Sequence, residues 1–140
     1  MSILSFLGWG KKSIEVDLTT PEGAILSLED AYRRADIERA VACKDFQQEA
    51  AYTVRGKPQM QDEEILARLA ENLESEYRAK MKDGFPVMTG VTSTFPKTQD
   101  FGGGKVVVTE VCHYPDGGKS RHDMLVTKTD SGWKVIIQLK

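Results

Sequence analysis

The sequence predicts an α+β domain in which helices come first and an antiparallel sheet follows, with the helices on one face of that sheet. Two observations carry this. Up to Pro86 the apolar residues recur at helical spacing. Beyond it the period changes to alternation, in four stretches rich in Val, Ile, Thr and aromatics, joined by turn residues. The length of 140 residues fits one domain that can bury a core without staples.

The first helix is signalled by Thr19-Thr20-Pro21-Glu22. Thr20 suits the N-cap, Pro21 the first helical position, and Glu22 the positive end of the dipole. Ile25, Leu28, Tyr32 and Ala35 then make one apolar stripe. Asp36 is expected to end this helix and cap a second, from Ile37 to about Lys44, with Ile37, Ala40 and Val41 buried. Cys43-Lys44-Asp45 reads as a helix end carrying a small buried thiol. A short strand is expected near Ala50 to Val54, ahead of a Gly56/Pro58 turn. The third helix, Gln61 to Lys82, carries Ile65, Leu69, Leu73, Tyr77 and Met81 at a four-residue step. Acidic residues load its first turn and basic ones its last, and Gly84 and Pro86 stop it.

The four strands are expected at Val87–Phe95, Lys105–Tyr114, Arg121–Lys128 and Trp133–Leu139. Lys97 to Gly104, Pro115 to Gly118 and Thr129 to Gly132 supply the connections, short enough for antiparallel hairpins. In the last strand Trp133, Val135, Ile137 and Leu139 share one face.

Charge is nearly balanced, at −2, so there is no basic stripe and no direct nucleic-acid binding is expected. The 2 cysteines, Cys43 and Cys112, form no CxxC or CxxH pattern, and two free thiols in a reducing compartment are expected. Residues 1–13 are read as an N-terminal segment that is frayed, packed or docking, and 14–140 as a single domain. The apolar run Ile3 to Trp9 is too short to span a bilayer, and its lysines follow it where a secretory signal needs them first. No membrane span and a cytoplasmic location are the expectation.

Chemistry concentrates in Val111 to Asp123, VCHYPDGGKSRHD, which holds both histidines. With Gly117-Gly118 as a two-residue turn, or Asp116 to Lys119 as a four-residue one, His113 faces His122 on the concave side of the sheet. Cys112 then pairs with Asp123 on the other face. Moving the turn to Asp116-Gly117 changes the pairing, and the sequence permits both. Two histidines fall short of the three protein ligands a zinc site usually needs, so no metal and no cofactor are expected. Acid–base work by a histidine with Tyr32 or Tyr52 is chemically open. No complete catalytic constellation is present, and the chain reads as a non-enzyme.

The order helix, tight turn, helix, long helix and four-stranded meander ending in Gly132-Trp133-Lys134-Val135-Ile136 resembles the NTF2-like (nuclear transport factor 2-like) cone over residues 17–139. Pro21-Glu22-Gly23-Ala24-Ile25-Leu26-Ser27-Leu28-Glu29-Asp30-Ala31-Tyr32 and Asp36-Ile37-Glu38-Arg39-Ala40-Val41-Ala42-Cys43-Lys44-Asp45-Phe46 are similar to bacterial NTF2-fold immunity proteins of polymorphic toxin systems. The ketosteroid isomerase branch of the superfamily places a tyrosine two turns before the corner at Ala35-Asp36, where this chain has Leu28. Asp45 stands where its aspartate base is expected, but the isomerase pattern is not met.

The resemblance to immunity proteins implies a cytoplasmic antitoxin-like protein that binds a cognate protein toxin, for example a nuclease, and blocks it without catalysis. Asp62, Glu63, Glu64, Glu71 and Glu74 are the candidate toxin-binding residues, since acidic side chains would steer a basic partner. The alternative is a small-molecule binder or enzyme of isomerase or hydrolase type that uses the cone, lined by Tyr32, Tyr52, His113, His122 and Trp133. A homodimer formed through the sheet is the third reading. A dry, filled cone would count against the alternative.

Overall fold

The computed structural model describes residues 17–139. The expected N-terminal segment, residues 1–13, lies outside them. Among the described residues four α-helices precede four strands: α1 Pro21–Arg33, α2 Ile37–Ala42, α3 Phe46–Thr53, α4 Glu63–Asp83, then β1 Thr92–Gly102, β2 Lys105–His113, β3 Lys119–Thr129 and β4 Gly132–Leu139. A 3₁₀ turn, Pro58–Met60, leads into α4.

Local chemistry sets the helix starts. Thr20 accepts from the Gly23 amide, Asp36 from that of Arg39, Asp45 from that of Gln48, and Asp62 from those of Glu64 and Ile65. Each cap satisfies amide donors that a helix N-terminus leaves free. α1 ends at Arg33, and Ala35, expected on its buried stripe, is instead an exposed residue with φ of 51° in the turn to α2.

The strand expected near Ala50 to Val54 is a helix. Asp45 caps it, and Phe46 and Ala50 turn inward against Ala70, Leu66, Leu69, Leu73 and Tyr77 of α4. Tertiary packing of this face outweighs the short β-branched signal at Thr53-Val54.

The strands form one antiparallel meander in the order β1-β2-β3-β4. β1 starts later than expected and runs through Lys97–Gly102, so the glycines at 102–104 make a tight hairpin in place of a long loop. Irregularities bend both edge strands. Phe95-Pro96 interrupts the β1–β2 register between Thr94 and Lys97, and the β3–β4 register shifts between Leu125 and Val126. A proline that cannot donate to the ladder is tolerated at such an edge bulge. The outer edge of β4 is partly covered by the α2–α3 junction, where the Val135 amide donates to Cys43 O and the Asp45 amide to Val135 O.

The helices cover the inner face of the sheet. Ala24, Ile25, Leu28 and Ala31 of α1 meet Val108, Val126 and Val135, with Ala40 and Cys43 closing the cluster. Burying an Ile or Leu side chain in this way contributes about 1.5–3 kcal/mol. The layer is not filled everywhere between α1, α4 and the sheet.

Candidate functional site

A cavity of about 640 Å³ lies between α1, α4 and the inner face of the sheet. Ile25 and Leu28 from α1, Met81 from α4, Met124 from β3 and Val135 and Ile137 from β4 give it apolar walls. The segment Gly84 to Met88 borders the mouth. Arg33 ties that segment down, donating to Met88 O at 3.2 Å and Val91 O at 2.9 Å. The cone is not filled by its own side chains.

Its polar groups come from three elements. Glu29 follows Leu28 on the buried side of α1 and is 7% exposed; Glu110 of β2 is 3% exposed and Cys112 is 5% exposed. Ser93 of β1, paired with Cys112 across the ladder, stands among them. Its Oγ donates to Glu110 Oε2 at 2.7 Å and lies 3.2 Å from Glu29 Oε1 and 3.8 Å from Cys112 Sγ. One ligand-type atom of each of Glu29, Glu110 and Cys112 lies within 4.8 Å of the others, the one such buried grouping among the described residues.

Burial drives the Glu29 carboxyl upward, and the hydrogen bond and charge of Glu110 add to this, against small opposing effects from Ser93 and Arg33. The result is a group pushed up to about 9, so Glu29 is a neutral acid near pH 7. In that state the acid proton is held between the Glu29 and Glu110 carboxyl groups, with the Ser93 hydroxyl donating to Glu110 Oε2 and lying within reach of Glu29 Oε1. Burial likewise pushes the Cys112 thiol up to about 11 and keeps it unreactive.

On the opposite wall the Tyr32 and Tyr77 hydroxyls share a hydrogen bond of 2.7 Å, and burial raises both phenols. Lys44 passes beneath them. Its Nζ donates to Ile136 O at 3.0 Å, lies 3.3 Å from Glu49 and sits 5.2 Å over the Tyr77 ring, and burial lowers its pKa.

The hairpin register differs from both readings of the sequence. The Tyr114 amide donates to Gly118 O and the Gly117 amide to Tyr114 O, with Gly117 at a φ of 91°. A glycine in this left-handed region closes the loop and pairs His113 with Lys119, Cys112 with Ser120, and Glu110 with His122. His113 and His122 therefore do not face each other, and Asp123 pairs with Thr109. Cys112 shares the inner face with Glu110 and His122, contrary to the expected pairing with Asp123.

Each candidate from the sequence has a definite place. Tyr32 and His122 line the cavity. The His122 Nε2 is 2.9 Å from Ser120 Oγ, which is 2.6 Å from the Tyr114 hydroxyl, making a polar string at the rim. His113 lies on the outer face, its Nε2 3.2 Å from Thr94 Oγ1. Tyr52 is on α3, its ring under the Arg55 guanidinium and 6.3 Å from Phe101, away from the cone. Trp133 packs against the core cluster at the start of β4.

The acidic candidates lie on α4, on the side of the molecule that carries two surface grooves. Asp62 is the helix cap, Glu63 and Glu64 border a groove of about 490 Å³ with Gln47, Gln48 and Ala67, and Glu71 and Glu74 border one of about 540 Å³ with Lys44, Asp45 and Lys134. Glu64 pairs with Arg68, and Glu74 with Arg78, which also binds Glu38. Asp45, the residue at the isomerase base position, caps α3 and borders this outer groove.

Glu29, Ser93 and Glu110 escaped the reading of the sequence, although a signal was there. Glu29 interrupts the stripe Ile25-Leu28-Tyr32, and Glu110 interrupts the inward series Val106, Val108, Cys112. A carboxylate at an inward position of a helix or strand is costly unless it is paired.

No family model matches this chain, and no curated protein does. Solved structures do. A phospholipid-binding protein from Ralstonia solanacearum, in complex with a phospholipid, is 14% identical over 84% of this chain and 73% of its own, with a TM-score of 0.53. A putative NTF2-like transpeptidase from Campylobacter jejuni is 11% identical over 85% of this chain and 99% of its own, at 0.45. A ketosteroid isomerase-like protein from Erwinia carotovora atroseptica is 15% identical over 89% and 95%, at 0.42. The Ralstonia protein shares the α+β arrangement of helices on an antiparallel sheet. At these identities the likeness is one of fold alone, and fold does not fix function. None of the three is described as an immunity protein. Among the described residues no helix is long and apolar enough to cross a membrane.

Proposed function

We propose that the protein binds an amphipathic small molecule in the cone, with its apolar body along the hydrophobic walls and a polar group at the Glu29–Ser93–Glu110 cluster. The observation that carries this is the pairing of an open cavity of about 640 Å³ with two buried carboxyl groups at its wall. Ligand sites typically run from about 300 to 1,000 Å³, apolar with a few convergent polar groups. Keeping two carboxyl groups in such a place costs stability, which a structural core would avoid by using apolar residues. The phospholipid carried by the Ralstonia protein supports the capacity of this fold to accept an amphiphile. The proposal is one of binding, and no reaction is assigned.

The test uses Nile red as a neutral apolar probe. Its emission should rise and saturate at one equivalent per chain, and Met124→Trp, which fills the cavity from β3, should abolish the rise while leaving the melting transition cooperative. Equal binding by the variant, or no saturable binding by the wild type, overturns the proposal.

A second reading, capture of a protein partner such as a toxin, rests on the outer grooves rimmed by Glu63, Glu64, Glu71 and Glu74. Affinity capture from native cells tests it. A stoichiometric partner that is toxic alone, and whose binding is lost on reversing Glu63 and Glu71 to Lys, would support it. Loss of binding in Met124→Trp alone would return the function to the cone.

A further inference from the structure

We infer that the occupant of the cone is an amphipathic amine, its ammonium group held between Glu29 and Glu110 and its apolar body lying along Ile25, Leu28, Met81 and Met124. This rests on the cone being a ligand site and names the class of ligand.

The argument begins with charge balance. Both carboxyl side chains are more than nine-tenths buried, and both are among the groups lining the cavity. Among the described residues, neither makes an ion pair with a Lys, Arg or His nitrogen. The cations that approach them are committed elsewhere. Arg33 donates to the carbonyls of Met88 and Val91, and Lys44 to Ile136 O beside Glu49. Lys80 is exposed on α4. The other titratable groups lining the cavity are Tyr32, Tyr77, Cys112, Tyr114 and His122, whose Nε2 is hydrogen-bonded to Ser120 Oγ. The wall thus carries two acidic groups with which neither of its lysines, Lys44 or Lys80, is ion-paired, a state that buried carboxylates avoid unless a partner is supplied.

The unliganded protein balances this with one proton shared by the Glu29 and Glu110 carboxyl groups, beside the Ser93 hydroxyl. An ammonium group does the same with three donors, enough for one oxygen of each carboxylate and the serine. A carboxylate or phosphate head would meet like charge, and an alcohol would leave the proton in place. The aromatic lining agrees. The Tyr32 and Phe85 rings, 6.1 Å apart between centroids, and the Tyr77 ring line the same cavity, and aromatic rings attract cations. Binding then has a balanced consequence: the ammonium enters charged, the Glu29 proton leaves to solvent, and about one proton is released per amine bound near neutrality.

The experiment is calorimetry on the full chain with n-octylamine, n-octanol and octanoate at pH 7, each in phosphate and in Tris. Octylamine should bind one per chain, roughly ten- to a hundredfold more tightly than octanol, the gain expected of a charge-assisted hydrogen bond. Its enthalpy should differ between the buffers by the heat of taking up about one proton, and Glu110→Gln should bring amine and alcohol to similar affinity. Octanol or octanoate binding as tightly as the amine, or an amine enthalpy independent of buffer, overturns the inference. If octanol binds and Met124→Trp removes it without any amine preference, the cavity reading stands and this one falls. If none of the three binds and Nile red also fails, both fall.

Discussion

Replacing Glu29 with glutamine should flatten the dependence of folding stability on pH between 6 and 8. The carboxyl sits at 4.5 in a free side chain and at about 9 in the fold, held up by burial first and then by the hydrogen bond and charge of Glu110. Between those values the folded chain binds one proton more than the unfolded chain, so unfolding releases it and stability falls as pH rises. The stabilisation is complete below the unfolded value of 4.5 and is lost as pH passes through about 9. One proton corresponds to about 1.4 kcal/mol per pH unit, so from pH 6 to 8 the wild type should lose up to about 3 kcal/mol relative to the variant. Glutamine reproduces the shape of the neutral acid and cannot ionise, so the difference between the two proteins reports the proton held by the Glu29–Glu110 pair. Urea unfolding of both proteins at pH 6, 7 and 8 measures it. Two parallel profiles would refute the reasoning, and a gap widening with pH in favour of the wild type would reverse its sign.

Gly132→Ala should cost at least about 2 kcal/mol and lower the melting temperature by several degrees, because the glycine has a φ of 111° and an added Cβ would lie 2.6 Å from Leu18 O. Both thiols are pushed up to about 11 by burial, so a disulfide reagent at pH 8 should label them slowly in the native protein and rapidly in urea. Fast native labelling of Cys112 would mean that the cluster around Ser93 opens readily. Arg33→Ala frees Met88 and Val91 from their guanidinium contacts, and amide exchange should accelerate across residues 85–91 while α4 is unaffected. Unchanged exchange there would show that the mouth segment holds without this tie.

Much of the scaffold is written locally in the chain. The caps Thr20, Asp36 and Asp62 act within three residues of their own positions, and the four-residue step from Ile65 to Met81 specifies α4 with little help from the rest of the fold. The meander follows from alternation and from turns too short for any other connection. α3 is different. Eight residues make a marginal helix alone, and contact of Phe46 and Ala50 with α4 decides it. The site lies further still from local rules. A hydrogen bond joins Ser93 to Glu29 across 64 positions, and another joins it to Glu110 across 17. The loop from Tyr114 to Gly118 sets which β3 residues share the face of Glu110, since a one-residue slip would turn His122 to the opposite face. The sequence by itself determined the helices, the strands and the buried stripe that Glu29 interrupts. Only the tertiary structure decided that this carboxyl meets Glu110 in an open cavity, because proximity between distant residues is created by register and packing.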